Sequence, residues 1–86
     1  MTDQTISEAQ LARLYQAANK ANSNYAAALR EKAPKPVRES IKRTAAELNS
    51  AYDAARRQYK RQQKAERRAE MRTAMIRWYL DQQQAA

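Results

Sequence analysis

The chain contains no glycine, no cysteine, no histidine and no phenylalanine, and only two of its 86 residues are proline. Each absence removes a class of structure or chemistry. Without glycine there is no residue that reaches positive φ freely, which argues against tight β-hairpins and removes phosphate-cradling loops and nucleophile elbows. Without cysteine there are no disulfides, thiolate ligands or thiol nucleophiles, and without histidine the usual general base and imidazole ligand are missing. The expectation is a protein that is not an enzyme and carries no metal or cofactor. The few acids are scattered, with Glu66 and Glu70 the one close carboxylate pair in the second half of the chain.

Long hydrophobic runs are also missing. No stretch approaches the roughly 18 apolar residues that span a bilayer, and the first thirty residues carry Asp3 and Glu8 instead of an apolar signal core. These features predict a soluble, cytoplasmic protein with no membrane partner. Large apolar side chains are scarce as well: 19 residues are Ala, and only 18 are Val, Ile, Leu, Met, Trp or Tyr. So small a supply gives a thin core, and a chain of this size without a staple commonly needs oligomerisation or a partner.

What is abundant is Ala, Arg, Gln, Lys and Glu, all of which enter a helix at little cost. The chain reads as all-α and as a single domain covering residues 1–86. Its one strong punctuation is Ala33-Pro34-Lys35-Pro36, where Pro34 forces its neighbour out of the helical region and Pro36 suits a first helical position. A first helix is expected over about residues 6–31, opened by a capping box between Thr5 and Glu8, with a weak point at Asn19 to Asn24. A Pro hinge follows at 32–36. A second helix, with Glu39 in its first turn, should run over about residues 37–83.

Apolar and small residues recur in steps of four and three. In the first helix they are Ser7, Leu11, Leu14, Ala18, Ala21, Tyr25 and Ala28, and in the second Ile41, Ala45, Leu48, Tyr52, Ala55 and Tyr59, with the polar Gln62 next in the same register. Such spacing marks coiled-coil seams. Folding at the hinge as an antiparallel hairpin brings residues whose numbers sum to about 69 or 70 level with one another. Ala28 then meets Ile41, Tyr25 meets Ala45, Ala21 meets Leu48, Ala18 meets Tyr52, Leu14 meets Ala55 and Leu11 meets Tyr59. Nearly every layer sets a large side chain against Ala, so the helices can approach closely without voids.

The heptad continues as Gln62, Glu66, Ala69, Thr73, Ile76, Leu80 and Gln83, but the first helix has run out by then. The C-terminal half of the second helix is therefore expected to overhang. The alternative is a three-helix bundle in which the last segment folds back, although neither Gly nor Pro marks a break.

Charge is concentrated in that overhang. Residues 1–53 carry eight basic and six acidic side chains, whereas residues 54–77 carry nine basic and two acidic. At about 100° per residue, Arg56, Arg57, Lys60, Arg61, Lys64, Arg67, Arg68 and Arg72 all fall within an arc of about 160° that points away from the seam. A solvated face normally interleaves both signs, whereas here cations repel cations. Arg forks suit phosphate and carboxylate geometry, and a row of cations on a rod can follow a nucleic-acid backbone with little sequence readout. The first reading is thus contact with nucleic acid, DNA or RNA. The alternative is an acidic protein surface, as for an inhibitor or assembly adaptor of the kind mobile elements encode. No zinc spacing, RNA-binding strand signature or helix-turn-helix pattern narrows the choice.

Beyond the cations, Met71, Met75, Ile76, Arg77, Trp78, Tyr79 and Leu80 form a cluster that is apolar almost all round. Trp, Tyr, Met and Arg are enriched at protein interfaces. The cluster reads as a protein interface, making the protein a homo-oligomer or a component of a hetero-complex. In the three-helix alternative it would complete a small core instead.

Overall fold

The computed structural model describes residues 5–85, which form two helices and a tight connection. Helix α1 spans Glu8–Arg30 and α2 spans Lys35–Ala85, 23 and 51 residues respectively. They lie against each other as an antiparallel hairpin, and α2 continues without interruption far beyond the end of α1. The fold-back into a third helix is not adopted. At 1.5 Å per residue α2 is about 76 Å long, close to the 78 Å maximum extent of the molecule. The radius of gyration, 22.1 Å, is nearly twice the roughly 12 Å of a compact chain this size.

The first helix begins one turn-fragment later than its sequence suggests. Ser7, in extended conformation, is the N-cap: its Oγ accepts from the Gln10 amide at 3.1 Å, and the Gln10 side chain accepts from the Ser7 amide at 2.9 Å. The capping box is therefore Ser7 with Gln10, not Thr5 with Glu8. Ser7 consequently leaves the seam and is exposed. The choice follows from satisfaction of donors, since Gln at the third helical position returns the bond as well as Glu does. Glu8 becomes free for another role.

At its other end α1 closes with a Schellman motif. The Lys32 amide donates to Leu29 O at 3.3 Å and the Ala33 amide to Ala28 O at 3.0 Å, with Lys32 in the left-handed region at φ 53°. Glycine usually takes this position; in a glycine-free chain Lys occupies it. Helix α2 then starts at Lys35, with the Arg38 amide donating to Pro34 O at 3.0 Å. Pro36 thus sits in the first turn, where its missing amide would have had no partner. Because α2 starts at Lys35 and not at about residue 37, Glu39 is its fifth residue and falls in the second turn, and the first holds no acidic residue.

Burial alternates as the large-to-small pairing requires. The buried residues are Ala18, Ala21, Ala28, Ala45 and Ala55, while Leu11, Leu14, Tyr25, Ile41, Leu48, Tyr52 and Tyr59 are partly buried. Among the described residues no large side chain is fully enclosed. Two helices can cover one stripe only, so the large side chains, most of them level with an Ala, keep their outer edges in solvent.

Four cross-helix contacts fix the antiparallel register. Near the middle, Asn22 and Asn49 exchange side-chain amide bonds, and Asn49 also donates to Ala45 O. The expected weak point from Asn19 to Asn24 is an unbroken part of α1, because Asn22 turns to its partner helix and leaves the α1 backbone bonds intact. Tyr15 packs on Tyr52 with ring centroids 5.4 Å apart. Tyr59 donates its hydroxyl to Glu8 Oε1 at 2.9 Å. Finally, Gln62 makes a two-bond clamp on Ile6: its Oε1 accepts from the Ile6 amide at 2.7 Å and its Nε2 donates to Ile6 O at 3.0 Å. Gln62 is the last partly buried residue, and every described residue from 63 to 85 is exposed.

Candidate nucleic-acid interface

The overhang is a bare helix about 35 Å long, counted at 1.5 Å per residue from Gln63 to Ala85. Its helicity needs no fresh nucleation, since α2 is already nucleated within the hairpin and the overhang is composed of good helix formers. Continuity has a geometric consequence. An unbroken helix keeps Arg56, Arg57, Lys60, Arg61, Lys64, Arg67, Arg68 and Arg72 on one face over about 24 Å, and all eight are exposed. The face points away from α1, which covers the opposite side of α2 as far as Gln62.

Electrostatics disfavour this arrangement in isolation. Arg56 with Lys60, Arg57 with Arg61, Lys60 with Lys64, Lys64 with Arg68 and Arg68 with Arg72 are like-charge pairs four residues apart, together costing the free helix about 1–2 kcal/mol. Among the described residues none of the eight cations makes an ion pair or hydrogen bond. Glu66 and Glu70 lie on the seam side, outside the arc of the stripe, and of the two only Glu70 comes within three residues of a stripe cation on the helix surface, Arg67.

The C-terminal cluster divides between two faces. By helical periodicity Met71, Met75, Trp78 and Tyr79 extend the line of the cations, whereas Ile76, Arg77 and Leu80 fall toward the continuation of the seam. All seven are exposed: Met71 at 71%, Met75 at 66%, Tyr79 at 62%, Trp78 at 59%, Ile76 at 56% and Leu80 at 54%, with Arg77 also open to solvent. Trp78 and Tyr79 meet edge to face, with centroids 5.6 Å apart and ring planes at 84°. Two shallow grooves flank them, one lined by Ala69, Glu70, Thr73, Ala74, Arg77, Trp78 and Asp81, the other by Met75, Ile76, Tyr79, Leu80 and Gln83.

The structure thus brings the eight cations into one stripe and places part of the apolar cluster in line with them. The sequence places the end of the hairpin near Gln62 but does not disclose the contacts that close it. Gln62 and the Tyr59–Glu8 pair mark where α1 stops supporting α2, and only the three-dimensional register shows their partners. No described helix is long and apolar enough to cross a membrane. The chain matches no protein-family model, no curated protein and no solved structure.

Proposed function

We propose that the protein is a non-catalytic helical binding module that contacts the nucleic-acid phosphate backbone through the exposed face of α2 and assembles through its C-terminal cluster. The reading places it in the cytoplasm. One observation carries it: eight cations aligned along about 24 Å of an unbroken, exposed helix, with no acid among them. That length matches about seven phosphates of one strand at 3.4 Å of rise each. Contacts of this kind position a protein on a backbone and read little sequence. Trp78 and Tyr79, in line with the cations, add flat surfaces on which unpaired bases can stack.

The experiment is a titration of a fluorescent duplex DNA and a structured RNA at low ionic strength, repeated at rising salt. Binding that weakens steeply with salt supports the reading, and no detectable binding to either at low salt refutes it.

A second reading has one observation in its favour. Met71, Met75 and Trp78 share the face of the cations, and these residue types are enriched at protein interfaces. An acidic protein surface would use both parts of such a face, the cations accelerating encounter and Trp78 holding the complex. Capture of a protein partner that survives nuclease treatment, and is lost in Trp78→Ala, would select this reading over the first.

A further inference from the structure

The seam side of the overhang is complementary to itself around Thr73. Beyond the Gln62–Ile6 clamp the heptad runs Glu66, Ala69, Thr73, Ile76, Leu80 and Gln83, all exposed. Laid antiparallel on a second copy and centred on Thr73, Ile76 comes level with Ala69 and Leu80 with Glu66 and its neighbour Ala65, while Gln83 reaches the level of Gln62, whose amide Ile6 already holds. The two Ile76–Ala69 layers, one on each side of the axis, repeat the large-against-small pairing of α1 with α2 on the same seam of α2, and Thr73 meets Thr73 at the axis.

Charge follows the same symmetry. Glu70 and Arg77 occupy equivalent flanking positions on the seam, and in the antiparallel register each Glu70 faces Arg77 of the other copy, twice per dimer. A parallel register would instead set Ile76 on Ile76 and Ala69 on Ala69, with each Glu70 displaced from Arg77. On the opposite flank Ala65 receives Tyr79; the unfavourable contacts are the two copies of Arg72, which approach each other near the axis, and the Glu66 carboxylates set against Leu80. The length also fits. The overhang of one copy, about three heptads, ends level with the point where α1 of the other begins, so each overhang completes the stripe that α1 leaves uncovered.

We infer that the partner of this face is a second copy of the same chain, docked antiparallel through Ala69, Thr73, Ile76 and Leu80 about a twofold axis at Thr73. The inference deepens the assembly part of the function proposed above and rests on it. Docking leaves the cations outward, together with Met71, Met75 and Trp78, so the dimer presents two basic stripes on one rod. A twofold interface uses the same patch on both copies, as this register requires.

The test is sedimentation equilibrium of the full chain without nucleic acid, at about 100 µM and about 0.15 M salt, where charges more than about 8 Å apart are screened but contacting pairs and hydrophobic docking persist. The expected mass is twice the 9.9 kDa of one chain. Glu70→Arg alone and Arg77→Glu alone should each weaken the dimer more than tenfold with helicity unchanged by circular dichroism, and the double substitution should restore it. In the cysteine-free chain, Thr73→Cys should oxidise to a linked dimer much faster than Met71→Cys on the outer face. A wild-type chain that stays at 9.9 kDa overturns the inference, as does a double substitution that fails to restore the dimer or equal oxidation of the two cysteine variants. Because nucleic acid is absent, a monomer that still binds DNA overturns self-docking alone, while a dimer that binds none overturns only the phosphate reading.

Discussion

Asn49 donates its side-chain amide to Asn22 Oδ1 at 2.9 Å, Asn22 returns the bond at 3.4 Å, and the Asn49 amide also reaches Ala45 O at 2.8 Å. A reciprocal amide pair in a seam of small residues selects one register, because sliding either helix would leave both amides without their partners. Asn22→Ala should destabilise the hairpin by about 1 kcal/mol. In a double-mutant cycle with Asn49→Ala, chemical denaturation should give a coupling of about 0.5–1 kcal/mol. A coupling near zero would mean that the Ala-to-large layers alone set the register.

Lys32 holds the left-handed position of the Schellman motif at φ 53°. A side chain there carries steric strain that glycine does not. Lys32→Gly should therefore raise stability by about 0.5–1 kcal/mol, read as a higher midpoint in urea. If midpoint and slope are both unchanged, the strain is relieved by some other means.

The two candidate caps of α1 are separable. Ser7→Ala removes the acceptor for the Gln10 amide and should cost about 1 kcal/mol, whereas Thr5→Ala should be near neutral. Thermal unfolding of the two variants side by side is sufficient.

Tyr59 gives the hairpin a pH dependence of definite sign. Its hydrogen bond to Glu8, followed by burial and the Glu8 charge, raises its pKa above the ordinary value of 10.0, against a smaller opposing hydrogen bond from Gln63 and with a still smaller push from the Glu66 charge. A folded pKa above the unfolded one means that the stabilisation is complete below pH 10 and is lost as pH rises through the raised folded value. Denaturation at pH 8 and above pH 10 should show this loss, and Tyr59→Phe should reduce it after the contribution common to both proteins is subtracted. Equal pH dependence in the two proteins would show that the Tyr59–Glu8 bond does not contribute.

Most of the architecture was legible in the sequence because it depends on local rules. The Pro34–Pro36 punctuation, the four-and-three spacing from Leu11 to Ala28 and from Ile41 to Tyr59, and the absence of any breaker after Pro36 suffice for a hairpin with an overhanging helix. The misread details lie where side chains choose between equivalent partners. Ser7 with Gln10 and Thr5 with Glu8 have the same spacing, and only the position of Glu8 beside Tyr59 separates them. Asn22 looked like a helix weakness because its partner lies 27 residues away on the other helix. Gln62 is polar at a seam position, and its partner, the backbone of Ile6, lies 56 residues away and satisfies both ends of its amide. The basic stripe was legible in full, since one unbroken helix converts sequence spacing directly into a face.

The claim that this face holds a phosphate backbone is tested most directly by the slope of log K against log salt for a duplex of about 20 base pairs, in the intact chain and in Arg61→Ala/Lys64→Ala/Arg68→Ala. Six to eight phosphate contacts predict a slope of about −5 to −7 for the intact chain, and removal of three cations should reduce its magnitude by about 3. A slope near zero, or one that the triple substitution leaves unchanged, would contradict the account.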